Sequence, residues 1–267
     1  MSYSIEGRTA IVTGAANGVG LAIGRHFVGQ GARVMFADMD EGRLLHELAE
    51  WSDDREHVAY FAGDLREKLT IANLLSATLD NFDRVDILIN ASRQMMSSSC
   101  LEGDGETLRT LIDQNVMTAY RLSQAVARRF IKQSNPEDQG SAGSIVNLSS
   151  IAARRTHPDL LAYSVSSAAL DQLTRSMAVA LAPERIRVNS VAFGSVMSQS
   201  LRDTLKENSD YREDIEDHTP LSRIANPAEV AGSVQFLCSE AAGFVTGQIM
   251  TVDGGRTLLD PVAAPAH

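Results

Sequence analysis

Short runs dense in Val, Ile, Leu and Ala recur along the chain, separated by longer stretches whose apolar residues repeat with a helical period. The short runs are 8–13, 32–37, 57–62, 85–90, 143–149, 186–192 and 248–252. Most show little polar alternation, the pattern of parallel strands covered on both faces. The clearest helical stretch runs from about 106 to 130, with Leu108, Ile112, Val116, Ala119, Leu122, Val126 and Phe130 in one apolar stripe. A second, about 160–181, carries Leu170, Leu173, Met177 and Ala180 on one face. Seven strands with helical crossovers predict a doubly wound, Rossmann-type parallel sheet in a three-layer α/β/α arrangement, because right-handed βαβ connections place helices on both faces.

No internal repeat or composition shift divides the chain, so 1–267 reads as one domain. The stretch 134–141 reads as a polar loop. The segment 195–226 is too long for a plain connection and is expected to form a substrate lid. The Pro/Ala-rich 260–267 reads as a flexible tail.

A net charge of −10 repels phosphate backbones and anionic lipid, so neither nucleic acid nor membrane is expected as a partner. There is no apolar run of membrane-spanning length, and the start Met-Ser-Tyr-Ser-Ile-Glu lacks signal-peptide character, which predicts a cytoplasmic protein. Cys100 and Cys238 sit in unrelated contexts and the six histidines show no ligand spacing, so no disulfide framework and no metal are expected. Trp51 and Cys100 are expected to pack.

The first strand runs into Thr13-Gly14-Ala15-Ala16-Asn17-Gly18-Val19-Gly20, which opens a helix. Its glycines let the backbone turn tightly and approach a pyrophosphate at the positive helix N-terminus. Val19, Ile23 and Phe27 supply that helix's buried side. Asp38, eighteen residues beyond Gly20, ends the second strand, where a carboxylate accepts hydrogen bonds from ribose hydroxyls and repels a 2′-phosphate. Asn17 leaves the turn without a Lys or Arg, so NAD is favoured over NADP.

Over nearly its whole length the sequence resembles the short-chain dehydrogenase/reductase family. The resemblance rests on 13–20, on Asp64-Leu65, on Asn115, and on Ser150 and Tyr163 at a thirteen-residue spacing. Arg187-Val188-Asn189, Pro220-Leu221 and Val252-Asp253-Gly254-Gly255 add later landmarks in the right order. It implies hydride transfer between a nicotinamide and a carbon bearing a hydroxyl or carbonyl. Tyr163 would be the acid/base, Ser150 would align the substrate oxygen, and Asn115 would hold a water by opening its helix locally. Cofactor contacts would come from Thr13, Gly14, Asn17, Gly18, Val19, Gly20, Asp38, Asp64, Leu65, Asn90, Tyr163, Val196 and Ser198. The resemblance also implies a homodimer or homotetramer.

Three positions depart from the family. Ser167 stands where a lysine would follow the tyrosine by four residues, one turn along the same helix face. Asn90-Ala91-Ser92-Arg93 replaces Asn-Asn-Ala-Gly, and Phe193 replaces a proline before Gly194. The lysine's implied tasks are to favour the phenolate and to grip the ribose, and Ser167 does neither. Bringing a phenol from about 10 to near 7 takes roughly 4 kcal/mol. The positively charged ring of NAD⁺ a few ångströms away would supply about that much at an effective dielectric near 20, only while the cofactor is oxidised, and a guanidinium would add more. Lys68 and Lys132 lie away from the nicotinamide, and Lys206 belongs to the lid; Arg93 is the cation whose motif position is near the ribose. Arg154, Arg155 and His157 border the expected substrate pocket, where solvation is favoured over anion binding. Two readings remain open: an NAD-dependent secondary-alcohol dehydrogenase or ketone reductase with reduced activity, and a non-catalytic NAD-binding sensor or assembly protein.

Overall fold

The computed structural model describes residues 2–51, 53, 54, 56–101, 105–135, 137, 139–260 and 262. Parts of the polar loop (136 and 138) and most of the expected tail (261 and 263–267) lie outside the described residues. All seven expected strands form: β1 Thr9–Thr13, β2 Arg33–Asp38, β3 Val58–Ala62, β4 Ile87–Asn90, β5 Gly143–Ser150, β6 Ile186–Phe193 and β7 Ile249–Val252. They make one parallel sheet in the order β3-β2-β1-β4-β5-β6-β7. The chain winds outward from β1 to β3, then crosses back to start β4 on β1's other side. That reversal opens a crevice at the carboxyl ends of β1 and β4.

The helices are α1 Gly18–Gly29, α2 Glu41–Glu47, α3 Lys68–Phe82, α4 Glu106–Ile112, α5 Thr118–Gln133, α6 Leu161–Leu181, α7 Gln199–Glu207, α8 Tyr211–Asp217 and α9 Pro227–Cys238. Side-chain alternation on the central strands explains why they read as unbroken apolar runs. Ala10, Val12, Ile87, Ile89 and Val146 face α1 and α9 through Ile23, Phe27, Val230 and Val234. Ile11, Leu88, Ile145 and Val188 face the other way, onto Leu74 of α3 and Leu122, Val126 and Phe130 of α5. Each of the larger side chains contributes about 1.5–3 kcal/mol relative to exposure. The edge strands β3 and β7 are only partly covered, and Tyr60 points outward.

Three details differ from the sequence expectations. The single helix expected over 106–130 is interrupted by a π-helical turn, Asp113–Met117. Thr118 Oγ1 donates to the Asp113 carbonyl at 3.0 Å, and Asn115 is tied to the backbone of Gln94 by two hydrogen bonds, holding the wide turn open. The extra residue shifts the stripe's phase: Leu122, Val126 and Phe130 are buried as expected, but upstream Leu111 is buried instead of Leu108 or Ile112. On α6, Ala178 rather than Ala180 completes the buried face. Cys100 is exposed, on the irregular segment before α4, whereas Trp51 packs as expected, stacked on Phe36 with ring centroids 6.3 Å apart.

The segment 195–226 forms α7 and α8 and ends on a well-specified stop. Asn226 caps α9, Pro227 occupies its first position, and Glu229 returns to the Asn226 N–H at 2.8 Å, completing a capping box. Arg223 grips the same carboxylate with two 2.7 Å hydrogen bonds. These contacts, the Arg223 guanidinium first and the Asn226 N–H second, hold the Glu229 carboxyl at about 2 instead of 4.5. Because the folded value is depressed, the stabilisation is complete above about pH 4.5 and is lost as pH falls towards 2. Gln keeps the capping box but not the charge. In urea unfolding, the midpoint difference between wild type and Glu229→Gln is therefore expected to be largest above about pH 5 and to shrink to nothing near pH 2.

Candidate active site

The glycine turn is shaped by backbone crowding. Gly14 has φ +62°, and a Cβ there would sit 2.8 Å from the Ala91 carbonyl oxygen and from Ser92 backbone atoms. A Cβ on Gly20 would meet the Gly14 carbonyl oxygen at 2.2 Å. The turn thus folds flat onto the first turn of α1 and leaves a side-chain-free concavity at that helix's positive end, which fits a pyrophosphate. Asn17 is exposed beside it, Gly18 takes φ +57°, and buried Val19 anchors the helix below.

Thr13 binds the turn to the neighbouring strand. Its hydroxyl donates to the Ile89 carbonyl at 3.3 Å and accepts from the Ala91 and Ser92 N–H groups at 3.0 Å. Asp38 accepts from the Ala16 N–H at 3.1 Å with one oxygen and from Asp40 at 3.2 Å with the other, so its carboxylate lies against the turn. Asp64 is gripped by Arg66 at 2.6–3.0 Å, which holds its carboxyl below the ordinary range, and Leu65 is buried beside it. Asn90 donates to Ser123 Oγ and Asn147 Oδ1 at 2.9 and 2.8 Å, locking β4 to α5 and β5. Val196 is buried and pairs with Ala225 near the end of the 195–226 segment, while Ser198 Oγ accepts from Leu201 and caps α7.

Ser150 ends β5 opposite Phe193 of β6 and accepts the Ala152 N–H at 3.1 Å, leaving its own proton free to donate. Tyr163 lies in the first turn of α6, 4% exposed, packed with Leu111, Ala152 and Ala162. Asn115 Nδ2 donates to the Gln94 carbonyl at 2.9 Å and to Ser166 Oγ at 3.2 Å. Tyr163, Asn115, Ser149, Ser167 and Arg93 border a cavity of about 10 Å³, the size of one water.

The three departures gather around Tyr163. Arg93 Nη1 donates to the Tyr163 hydroxyl oxygen. Its guanidinium carbon lies 4.3 Å from the centre of the Phe193 ring and 5.9 Å from that of Tyr163. Ser167 turns back on its own helix, donating to the Tyr163 carbonyl at 2.8 Å. Lys206 pairs with Asp203, and Lys68 and Lys132 occupy the start of α3 and the end of α5.

Further out, Arg155 and Arg256 border a cleft of about 290 Å³ with Asp214, His218 and Leu259. Arg155 donates to the Thr257 carbonyl and Arg256 to Ser195 Oγ at 2.5 Å. Arg154 is directed instead to Thr251 Oγ1, and His157 is exposed beside Asp159. Sequence reasoning missed Arg256, whose signal was its place directly after the Val252–Gly255 landmark. It also missed Asp171, one turn beyond Ser167, where burial pushes the carboxyl up while the Ser149 hydroxyl and then Arg154 and Arg175 pull it down.

A family model described as enoyl-(acyl carrier protein) reductase matches residues 14–257. A tropinone reductase homologue of Arabidopsis thaliana is 33% identical over 258 residues, covering 96% of each chain. The 2,3-dihydroxy-2,3-dihydro-p-cumate dehydrogenase of Pseudomonas putida is 32% identical, again over 96% of each chain. Among solved structures, a short-chain type dehydrogenase/reductase from Mycobacterium ulcerans superimposes with a TM-score of 0.86 at 30% identity, covering 96% of this chain and 91% of that one.

The crowding at Gly20 makes a direct test. Gly20→Ala must push the turn off α1, so titration calorimetry is expected to show nicotinamide dinucleotide binding weakened by about a hundredfold or more, equivalent to roughly 3 kcal/mol.

Proposed function

This chain belongs to the short-chain dehydrogenase/reductase family, and we propose that within it the protein is an NAD-linked oxidoreductase that interconverts a secondary alcohol and its ketone. The observation that carries this reading is the buried Tyr163 phenol, bordering one small polar cavity with Asn115 and touching the loop that Thr13 fastens to the glycine turn. When bound, the nicotinamide cofactor supplies the hydride acceptor or donor.

The chain's own residues do the rest. Gly14, Gly18, Gly20 and the start of α1 hold the pyrophosphate, with Thr13, Asn17 and Val19 shaping that turn. Asp38 holds the adenosine ribose and disfavours a 2′-phosphate, and Asp64, Leu65, Asn90, Val196 and Ser198 complete the cofactor's surroundings. Ser150 donates to the substrate oxygen and aligns it. Tyr163 takes the hydroxyl proton as the alcohol is oxidised and returns it on reduction. Asn115 keeps the π-turn open beside the one-water cavity, which gives the proton a way out. Exposed Tyr120, Ile131, Val165 and Val179 on α5 and α6 are available to a homodimer or homotetramer contact.

The second reading, an NAD-binding protein without turnover, draws support from Ser167. One experiment separates them: binding of NAD and NADP, together with reduction of NAD by a panel of neutral secondary alcohols and hydroxy acids at neutral and alkaline pH. The expected result is turnover with at least one alcohol and NAD bound about tenfold tighter than NADP, a preference that Asp38→Asn reduces. Tight NAD binding with no turnover at any pH supports the second reading, and no binding of either dinucleotide overturns both.

A further inference from the structure

We propose that Arg93 is a catalytic residue: its guanidinium, held against the Tyr163 hydroxyl by Phe193, stabilises the phenolate through which this site moves a proton. The proposal deepens the oxidoreductase reading and rests on it for the meaning of that proton. The contact itself is independent of it.

A guanidinium has donors and no acceptor and keeps its charge throughout the accessible pH range. In the Arg93–Tyr163 hydrogen bond the phenol oxygen must therefore be the acceptor. Such a bond strengthens when the acceptor becomes an anion. Its effect is differential, favouring the phenolate over the phenol, and that is what a base needs. Among the described residues Arg93 has no carboxylate partner, although the chain carries 34 acidic residues. The anion placed to meet its charge is the phenolate.

The guanidinium is also fixed in place. Phe193 lies under it at 4.3 Å, within cation–π range, and is itself buried at the end of β6. The loop that carries it is clamped by the two hydrogen bonds from Ala91 and Ser92 to Thr13. A donor on the phenol oxygen leaves the phenolic proton and a remaining lone pair for the substrate. Because Arg93 cannot accept a proton, it shifts the equilibrium without serving as the relay. The relay falls to hydroxyls and water in the cavity beside Ser167.

The test compares wild type with Arg93→Gln, Arg93→Lys and the double variant Arg93→Gln/Ser167→Lys. Its first readout needs neither substrate nor cofactor: the tyrosinate absorbance step that Tyr163→Phe removes. Arg93→Gln is expected to move that step up by about one pH unit or more. Arg93→Lys retains most of the wild-type position, and Ser167→Lys in the Gln background moves it back down. On a substrate found with the panel, Arg93→Gln lowers kcat at neutral pH by about tenfold or more, with recovery at alkaline pH and little change in KM for NAD. An unshifted step in Arg93→Gln overturns the proposal, as does higher neutral-pH activity in that variant, which would make Arg93 a block on the phenol. Absence of turnover in wild type refutes the oxidoreductase reading while the titration still decides the Arg93 contact.

Discussion

The Thr13 hydroxyl joins the carboxyl ends of β1 and β4, the two strands between which the winding of the sheet reverses. A doubly wound sheet leaves a crevice at that point, and a crevice is only useful if its walls keep their spacing. Here one hydroxyl accepts two backbone N–H groups from the loop after β4 and donates to the strand itself. Gly14 can lie against that loop because it lacks a Cβ, so the cofactor turn and the loop bearing Arg93 are set by the same contact. The glycine turn and the surroundings of Tyr163 are thereby built from one corner.

From that corner outward the site fixes its charges by contact, through the hydrogen bond and ring that hold Arg93. A lysine on α6 would reach the phenol along a four-carbon stem with many rotamers. Arg93 arrives from the opposite wall, on a short clamped loop, and rests on an aromatic ring. Asp38 and Asn90 follow the same logic: each has its polar atoms engaged by the protein, so each shapes the site through fixed position. Asn90, Ser123, Asn147 and Thr174 form a hydrogen-bonded chain linking β4, α5, β5 and α6, which keeps the walls stiff around a cavity the size of one water.

Much of this is visible in the sequence because burial leaves a period. Central strands covered on both faces read as continuous apolar runs, and the glycine turn is identified by its place between a strand and a helix. Asn115, Ser150 and Tyr163 are recognisable through the family resemblance, the last two by their thirteen-residue spacing. The helix opening at Asn115 is implied by the resemblance and not by the periodicity, since an inserted residue changes the phase of a stripe without changing its composition, and Leu111 became visible as a core residue only in three dimensions. Nor could spacing reveal that Arg93, Phe193 and Ser167 gather around Tyr163, Arg93 on its hydroxyl, Phe193 under the guanidinium and Ser167 on its carbonyl. Each looks like an isolated loss until the crossing of the sheet brings them together. Cys100 misled because an apolar-looking residue in an irregular segment carries no period to test.

The segment 195–226 hangs between two helix caps, Ser198 at its entry and Asn226 at its exit. A cap is worth about 0.5–2 kcal/mol, so releasing one end leaves a state populated on the order of 3–30% of the time, since each 1.4 kcal/mol is a factor of ten. Opening of that kind needs no unfolding of the sheet and no loss of the corner at Thr13. Motion of that segment is thus decoupled, in energy and in time, from the rigidity of the sheet and of the corner beneath it.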